Sequence, residues 1–230
     1  MLLTITFTDL ARWEAGFEQF LLRDTASHDA AHDLEHIRRV VATARMLAVA
    51  ERADLAVVIP AAWLHDCVVV PKDSPQRSQA SGLAARAAVN FLRAIDYPES
   101  HVDAIHHAIE AHSFSANIRP RTGEAQIVQD ADRLDALGAI GIARCLMLGG
   151  AIGRRLYDPR EPFPVEREPN DVINTIDHFY LKLLRLADTM MTAAGRAEAQ
   201  QRTVFIHQFL EQLRREIAPE QAGPTVSPPG

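Results

Sequence analysis

Leu55-Ala56-Val57-Val58-Ile59-Pro60-Ala61-Ala62-Trp63-Leu64-His65-Asp66 is the stretch on which the reading of this chain turns. It is almost wholly apolar from Ala56 to Leu64 and then ends on an imidazole beside a carboxylate. It shows no period-2 alternation, so it reads as a buried helix over Leu55 to Asp66. The apolar character continues to Val70, but Pro60 and the His65-Asp66 pair interrupt it, and it is not expected to cross a bilayer. Two polar groups at the end of a buried helix are costly unless something compensates both. Either His65 is hydrogen-bonded and Asp66 caps a neighbouring helix, or the two hold a ligand. Pro71 and Pro75 bound the loop that follows.

Outward from this run, apolar residues recur at helical spacing through most of the chain. Helices are predicted over Leu10 to Leu22 and Asp29 to Ala50. The second of these carries Leu34, Ile37, Val40, Val41, Ala44 and Leu47 on one face. Others are predicted over Ser78 to Ile95, Pro98 to His112 with Asp96 as its cap, and Gly123 to Leu137. Glycines at 138, 141, 149, 150 and 153 suggest a short helix broken near Gly149. The proline-rich piece from Tyr157 to Pro169 reads as a surface excursion. Two long helices, Asp171 to Ala194 and Arg196 to Ile217, complete the pattern. The expectation is an all-α fold, a single helical bundle over residues 1–218, with a disordered tail over 219–230.

Hydrophobic residues make up 47% of the chain, aromatics 6% and charged residues 23%, which suits a helical globular protein. The net charge of -6 argues against partners such as a nucleic-acid polymer or a membrane surface. Of 24 basic residues only Lys72 and Lys182 are lysines. Cys67 and Cys145 form neither a disulfide framework nor a zinc spacing, and with no signal peptide at the start a reducing, cytoplasmic setting is expected. Exposed apolar helix faces suggest a homodimer.

His28, His32 and His36 share one helix face, at intervals of four. The segment His32-Asp33-Leu34-Glu35-His36 lacks the glutamate after its first histidine that a zinc protease uses. Asp130, Asp132 and Asp135 come from one predicted helix, where a solvated face is the plainer alternative. Taken in order, however, His36-Ile37-Arg38-Arg39-Val40, Trp63-Leu64-His65-Asp66-Cys67 and Asp130-Ala131-Asp132-Arg133-Leu134-Asp135 resemble the HD superfamily of metal-dependent phosphohydrolases. The likeness covers about residues 25–150. With Ala108 to Ser113 and Gln129 to Arg144, it resembles a bacterial subgroup of standalone HD hydrolases. Some members of that subgroup are associated with splitting nucleoside triphosphates into monophosphate and pyrophosphate.

The resemblance implies that His36, His65, Asp66 and Asp132 hold one divalent metal ion. Two neutral imidazoles and two carboxylates balance such a charge and leave open positions, which suits Mn²⁺ first, with Fe²⁺, Ni²⁺, Co²⁺ or Mg²⁺ as alternatives, over structural zinc. An ion of this kind lowers the pKa of a water and draws charge from phosphorus. The loop after the HD pair offers Asp73 and Lys72 as catalytic candidates and Arg77 as a contact to the substrate phosphates, with His112 and Lys182 as further contacts from elsewhere in the chain. Asp135 is expected to orient a ligand or Arg133, and Asp130 to face away. The expected substrate is a small phosphorylated molecule, a nucleotide first. A 5'-nucleotidase or phosphodiesterase, and a nucleotide-binding sensor without turnover, are the alternatives.

Overall fold

In the computed structural model, residues 7–22, 34–70, 74, 76–113 and 116–218 are described. Among them the regular structure is helical, with one isolated bridge between Arg155 and Asn174. The helices are α1 (Phe7–Leu22), α2 (Leu34–Glu51), α3 (Leu55–Leu64), α4 (Ala80–Ala94), α5 (Glu99–His112), α6 (Gly123–Leu134), α7 (Gly138–Ala151), α8 (Leu184–Leu186) and α9 (Ala193–Ile217). No single described helix is long and apolar enough to cross a membrane.

The axis of the bundle is α3, in which every residue from Ala56 to Leu64 is buried. The Asp54 carboxylate caps it by accepting from the Ala56 amide at 2.8 Å. Pro60 lies inside the helix and cannot donate to the Ala56 carbonyl one turn back. The Tyr97 hydroxyl takes that place, donating to Ala56 O at 2.6 Å. A potentially orphaned carbonyl thereby fastens the segment between α4 and α5 onto α3. Around α3 pack α2, α5 and α6, with α1 against its outer side. The apolar face expected on α2 is present, with Ile37, Val40, Val41, Ala44 and Leu47 buried.

Several local expectations need correction. The HD pair does not lie inside α3: the helix ends at Leu64, with His65 as its C-cap and Asp66 in the turn beyond. Asp96 does not cap α5, whose N-cap is Pro98 without a side-chain bond. Instead Asp96 adopts a φ of 54° in the turn after α4. Gly149 does not break α7. An ideal Cβ at that position would meet Thr175 Oγ1 at 2.2 Å, so the glycine permits a close approach of chain segments. Part of the 157–169 excursion is anchored: Phe163 is buried, and the Arg214 guanidinium stands 4.2 Å from its ring centroid.

The largest difference concerns residues 171–194, which do not form one helix. Turns lead to a π-helical stretch, Phe179–Leu183, then α8 and a 3₁₀ turn, Ala187–Thr189. The chain is extended at Met190. The interruption has a tertiary cause. Asp130, fully buried on α6, accepts from the amides of Met191 at 2.9 Å and Thr192 at 2.8 Å and from the Thr192 hydroxyl at 2.8 Å. Those amides are engaged outside any helix, so α9 begins only at Ala193, where Thr192 Oγ1 accepts from Gly195 N at 2.9 Å. At the other end, buried Asp177 accepts two bonds of 2.6 Å from Arg167 and one of 2.7 Å from Asn170 N. The predicted tail and the region of His28, His32 and Asp33 lie outside the described residues.

Candidate metal centre

Three helices bring the expected ligands together. His36 comes from the first turn of α2, His65 and Asp66 from the end of α3, and Asp132 from α6. The nitrogen and oxygen donors of His36, His65 and Asp66 lie within 4.8 Å of one another. Asp132 Oδ1 stands 3.5 Å from His36 Nε2 and 3.9 Å from His65 Nε2. Asp66 Oδ2 is 3.7 Å from His65 Nε2.

Both imidazoles are oriented by their other nitrogen. His65 Nδ1 bonds the Ala62 carbonyl at 2.7 Å, so it carries the proton and leaves Nε2 as a lone pair. His65 Nε2 is buried and has no hydrogen-bond partner. An unpaired acceptor at such a place is costly, and a cation between it and the two carboxylates removes the cost. His36 Nδ1 meets the buried Asp135 carboxylate at 2.7 Å. Asp135 is also held by Arg39 at 2.7 and 3.0 Å and by Arg144. The sequence-based alternative for Asp135, an interaction with Arg133, is not what occurs, since Arg133 donates to Thr189 O at 2.7 Å.

The electrostatics fit a cation site. Burial opposes the charged form of His36, but hydrogen bonds to Asp132 and Asp135 and their charges outweigh it, pushing its pKa up to about 9. Burial works against ionised Asp132 too, yet the bond from His36 and the nearby His65 and His112 hold its carboxyl far below the usual range. Burial keeps His65 neutral at physiological pH. The two ionised carboxylates balance the charge of a divalent ion, and the proton on His36 must leave before that ring can bind it.

His112, at the end of α5, belongs to this group more closely than its sequence position suggested. Its Nδ1 bonds the Ile109 carbonyl at 2.6 Å, in the same manner as His65. Its Nε2 is 3.5 Å from Asp66 Oδ1, and its ring stands edge-on to His65 at 4.9 Å between centroids. The other histidines of α5 are elsewhere: His101 lies by Asp54 at 3.4 Å, and His107 Nε2 accepts from Arg121 N at 2.9 Å.

The centre opens into a cleft of about 730 Å³ whose walls include His112, Asp132, Arg133, Arg144, Lys182 and Arg185. Lys182 lines the same cleft as Asp132. His178, one turn before it, also lines the cleft and is held through Nδ1 by Asp171 at 2.7 Å. On this wall Lys182 alone was singled out from the sequence, not His178, Arg185 or Asp171. The one signal for His178 and Arg185 was their helical spacing from Lys182. Lys72 and Asp73 lie outside the described residues, and Arg77 opens a 3₁₀ turn, Arg77–Gln79, with its side chain outside them.

Residues 33–137, which contain all four donors, match the HD domain family. Bacillus subtilis YpgQ is 35% identical over 203 residues, spanning 86% of this chain and 89% of that protein. The chain belongs to the HD superfamily. The crystal structure of YpgQ in complex with ADP matches with a TM-score of 0.68 at 33% identity, over 89% of this chain and 97% of that one. That of an HD-superfamily hydrolase from Bacillus thuringiensis matches with a TM-score of 0.69 at 34% identity, over 91% and 96%. The protein is an HD-superfamily hydrolase, as its order of His, His-Asp and Asp implied.

Proposed function

We propose that this hydrolase uses one divalent ion, Mn²⁺ in the first instance, to split a nucleoside triphosphate into monophosphate and pyrophosphate. The observation that carries the reading is the buried, unpartnered His65 Nε2 facing Asp66 and Asp132 at the head of a cation-lined cleft. A nucleotide substrate is supported by the relative YpgQ, whose structure was solved with ADP. His36, His65, Asp66 and Asp132 hold the ion, which supplies a polarised phosphoryl oxygen and a more acidic water.

The protein's own groups do the rest. Asp135 fixes the His36 ring so that Nε2 faces the centre. Lys182 and Arg185 attract the phosphate chain, and His112 stands beside Asp66 within reach of a bound phosphate. Water adds to the α-phosphorus, the bond to the bridging oxygen breaks, and pyrophosphate departs. The water's proton passes to a carboxylate, the role assigned to Asp73, with Lys72 and Arg77, close to it in sequence, neutralising the leaving group.

The test is a panel of nucleotides and phosphomonoesters with Mn²⁺, Mg²⁺, Co²⁺ or Ni²⁺. Pyrophosphate release from triphosphates, abolished in Asp66→Ala, is the expected result. Orthophosphate from monophosphates would replace it with the nucleotidase reading, and nucleotide binding without turnover under any metal with the sensor reading.

A further inference from the structure

The metal cleft does not end at its cations. A second cavity of about 270 Å³ adjoins it between α7 and the π-helical stretch, and four residues line both: Ala136, Arg144, His178 and Lys182. Beyond that junction the lining changes character. Met147, Leu148, Ala151 and Leu183 supply carbon surface, and the thiol of Cys145 points to the Thr175 carbonyl at 3.9 Å. Met147 and Leu148 are 68% and 37% exposed, which leaves an apolar rim open beside a charged cleft. In order, then, the molecule presents a cation site, a basic junction and an apolar pocket. Lys182 at the junction has no carboxylate partner among the described residues, while His178 is fixed by Asp171.

That sequence of chemistries matches a nucleotide laid along it, with phosphates at the metal end and a flat, largely apolar ring at the other. We propose that the α7 pocket receives the nucleobase, with Lys182 and His178 gripping the phosphates at its mouth, so that the base is bound by burial and not by its hydrogen-bonding edge. The inference rests on the nucleotide reading above and deepens it. Apart from the junction residues, no side chain lining the pocket among the described residues offers a free donor or acceptor to a base edge. An apolar pocket of this kind discriminates only modestly between ligands that fit it. The enzyme consequently accepts purine and pyrimidine nucleotides alike.

Two measurements test this. Across ATP, GTP, CTP and UTP, KM should vary by no more than about ten-fold. By calorimetry, Met147→Ser/Leu148→Ser should lower the ratio of ADP affinity to pyrophosphate affinity by about ten-fold, because pyrophosphate has no base to bury. Both residues are exposed enough for the fold to tolerate the change, and Ala151→Trp, which fills the pocket, should act in the same direction. A preference of about a hundred-fold for one base, or an unchanged affinity ratio in both variants, would overturn the proposal. Nucleotides that bind in this pattern without being hydrolysed would sink the hydrolytic reading alone. Hydrolysis with an unchanged ratio would sink only the pocket, and failure to bind any nucleotide would sink both.

Discussion

Asp135 Oδ2 lies 2.7 Å from His36 Nδ1, across 99 residues of chain, and this contact sets which nitrogen of His36 faces the metal centre. Arg39 and Arg144 hold the same carboxylate, so the orienting group is itself fixed. Asp135→Ala should weaken Mn²⁺ binding about 10- to 100-fold without removing a ligand. Titration calorimetry reads this directly; an unchanged Mn²⁺ affinity would show that His36 is oriented by something else.

Metal binding should depend on pH in a stated direction. A ligating His36 must be neutral, yet in the metal-free pocket its pKa is about 9, against 6.5 for an ordinary histidine. Protons therefore compete with the metal at neutral pH. Affinity should rise with pH up to about 9, and binding near neutrality should release about one proton, measurable in buffers of different ionisation enthalpy. In the metal-free protein the sign for stability is opposite. The charged His36 contributes fully below about 6.5, and that contribution is lost as the pH rises through about 9.

Adding metal should stabilise the fold. An ion that binds only the native state at a hundred times its Kd raises stability by about 2.7 kcal/mol. Thermal unfolding with Mn²⁺ and with a chelator should differ accordingly, and the difference should vanish in Asp132→Ala.

Asp130 should matter for stability, since it fastens the start of α9 to α6. Asp130→Ala leaves the Met191 and Thr192 amides without their acceptor and should cost about 1–3 kcal/mol. Gly195→Ala probes the same point from the other side. Its Cβ would stand 2.3 Å from Asp130 Oδ2, an overlap that should cost about 1–3 kcal/mol despite alanine's helix propensity. Urea unfolding of both variants checks the pair.

The Arg167–Asp177 pair should give the fold an acid-sensitive element. Burial resists the Asp177 charge, but Arg167, Asn170 and Asn174 overcome it and hold the pKa below that of an ordinary aspartate. The unfolded state then binds more protons, so this stability is present above the unfolded value of about 3.9 and lost as the pH falls through the native one. Asp177→Asn should flatten that part of the pH–stability curve; urea midpoints measured from pH 7 to 3 show whether it does.

The sequence by itself determined the helical class, the buried character of α3 and the candidate status of His65-Asp66. Each is encoded locally: Ala56 to Leu64 has no polar side chain to place in water, and His65-Asp66 at its end demands a compensating partner. The order of His36, His65-Asp66 and Asp132 added the family. Tertiary structure alone decided what lies between those points. The helix expected through residues 171–194 is interrupted because buried Asp130, about sixty residues earlier, takes the amides that would have continued it. Gly149 allows contact with Thr175 where its composition suggested a break, and Asp135 serves His36 from across the bundle. Helical periodicity reports which face of a segment is apolar, but not which distant group will claim its backbone or its polar side chains. For the same reason the candidate metal donors were legible in the sequence, whereas the cleft of Lys182, Arg185 and His178 required the fold to bring residues 178–185 beside Asp132.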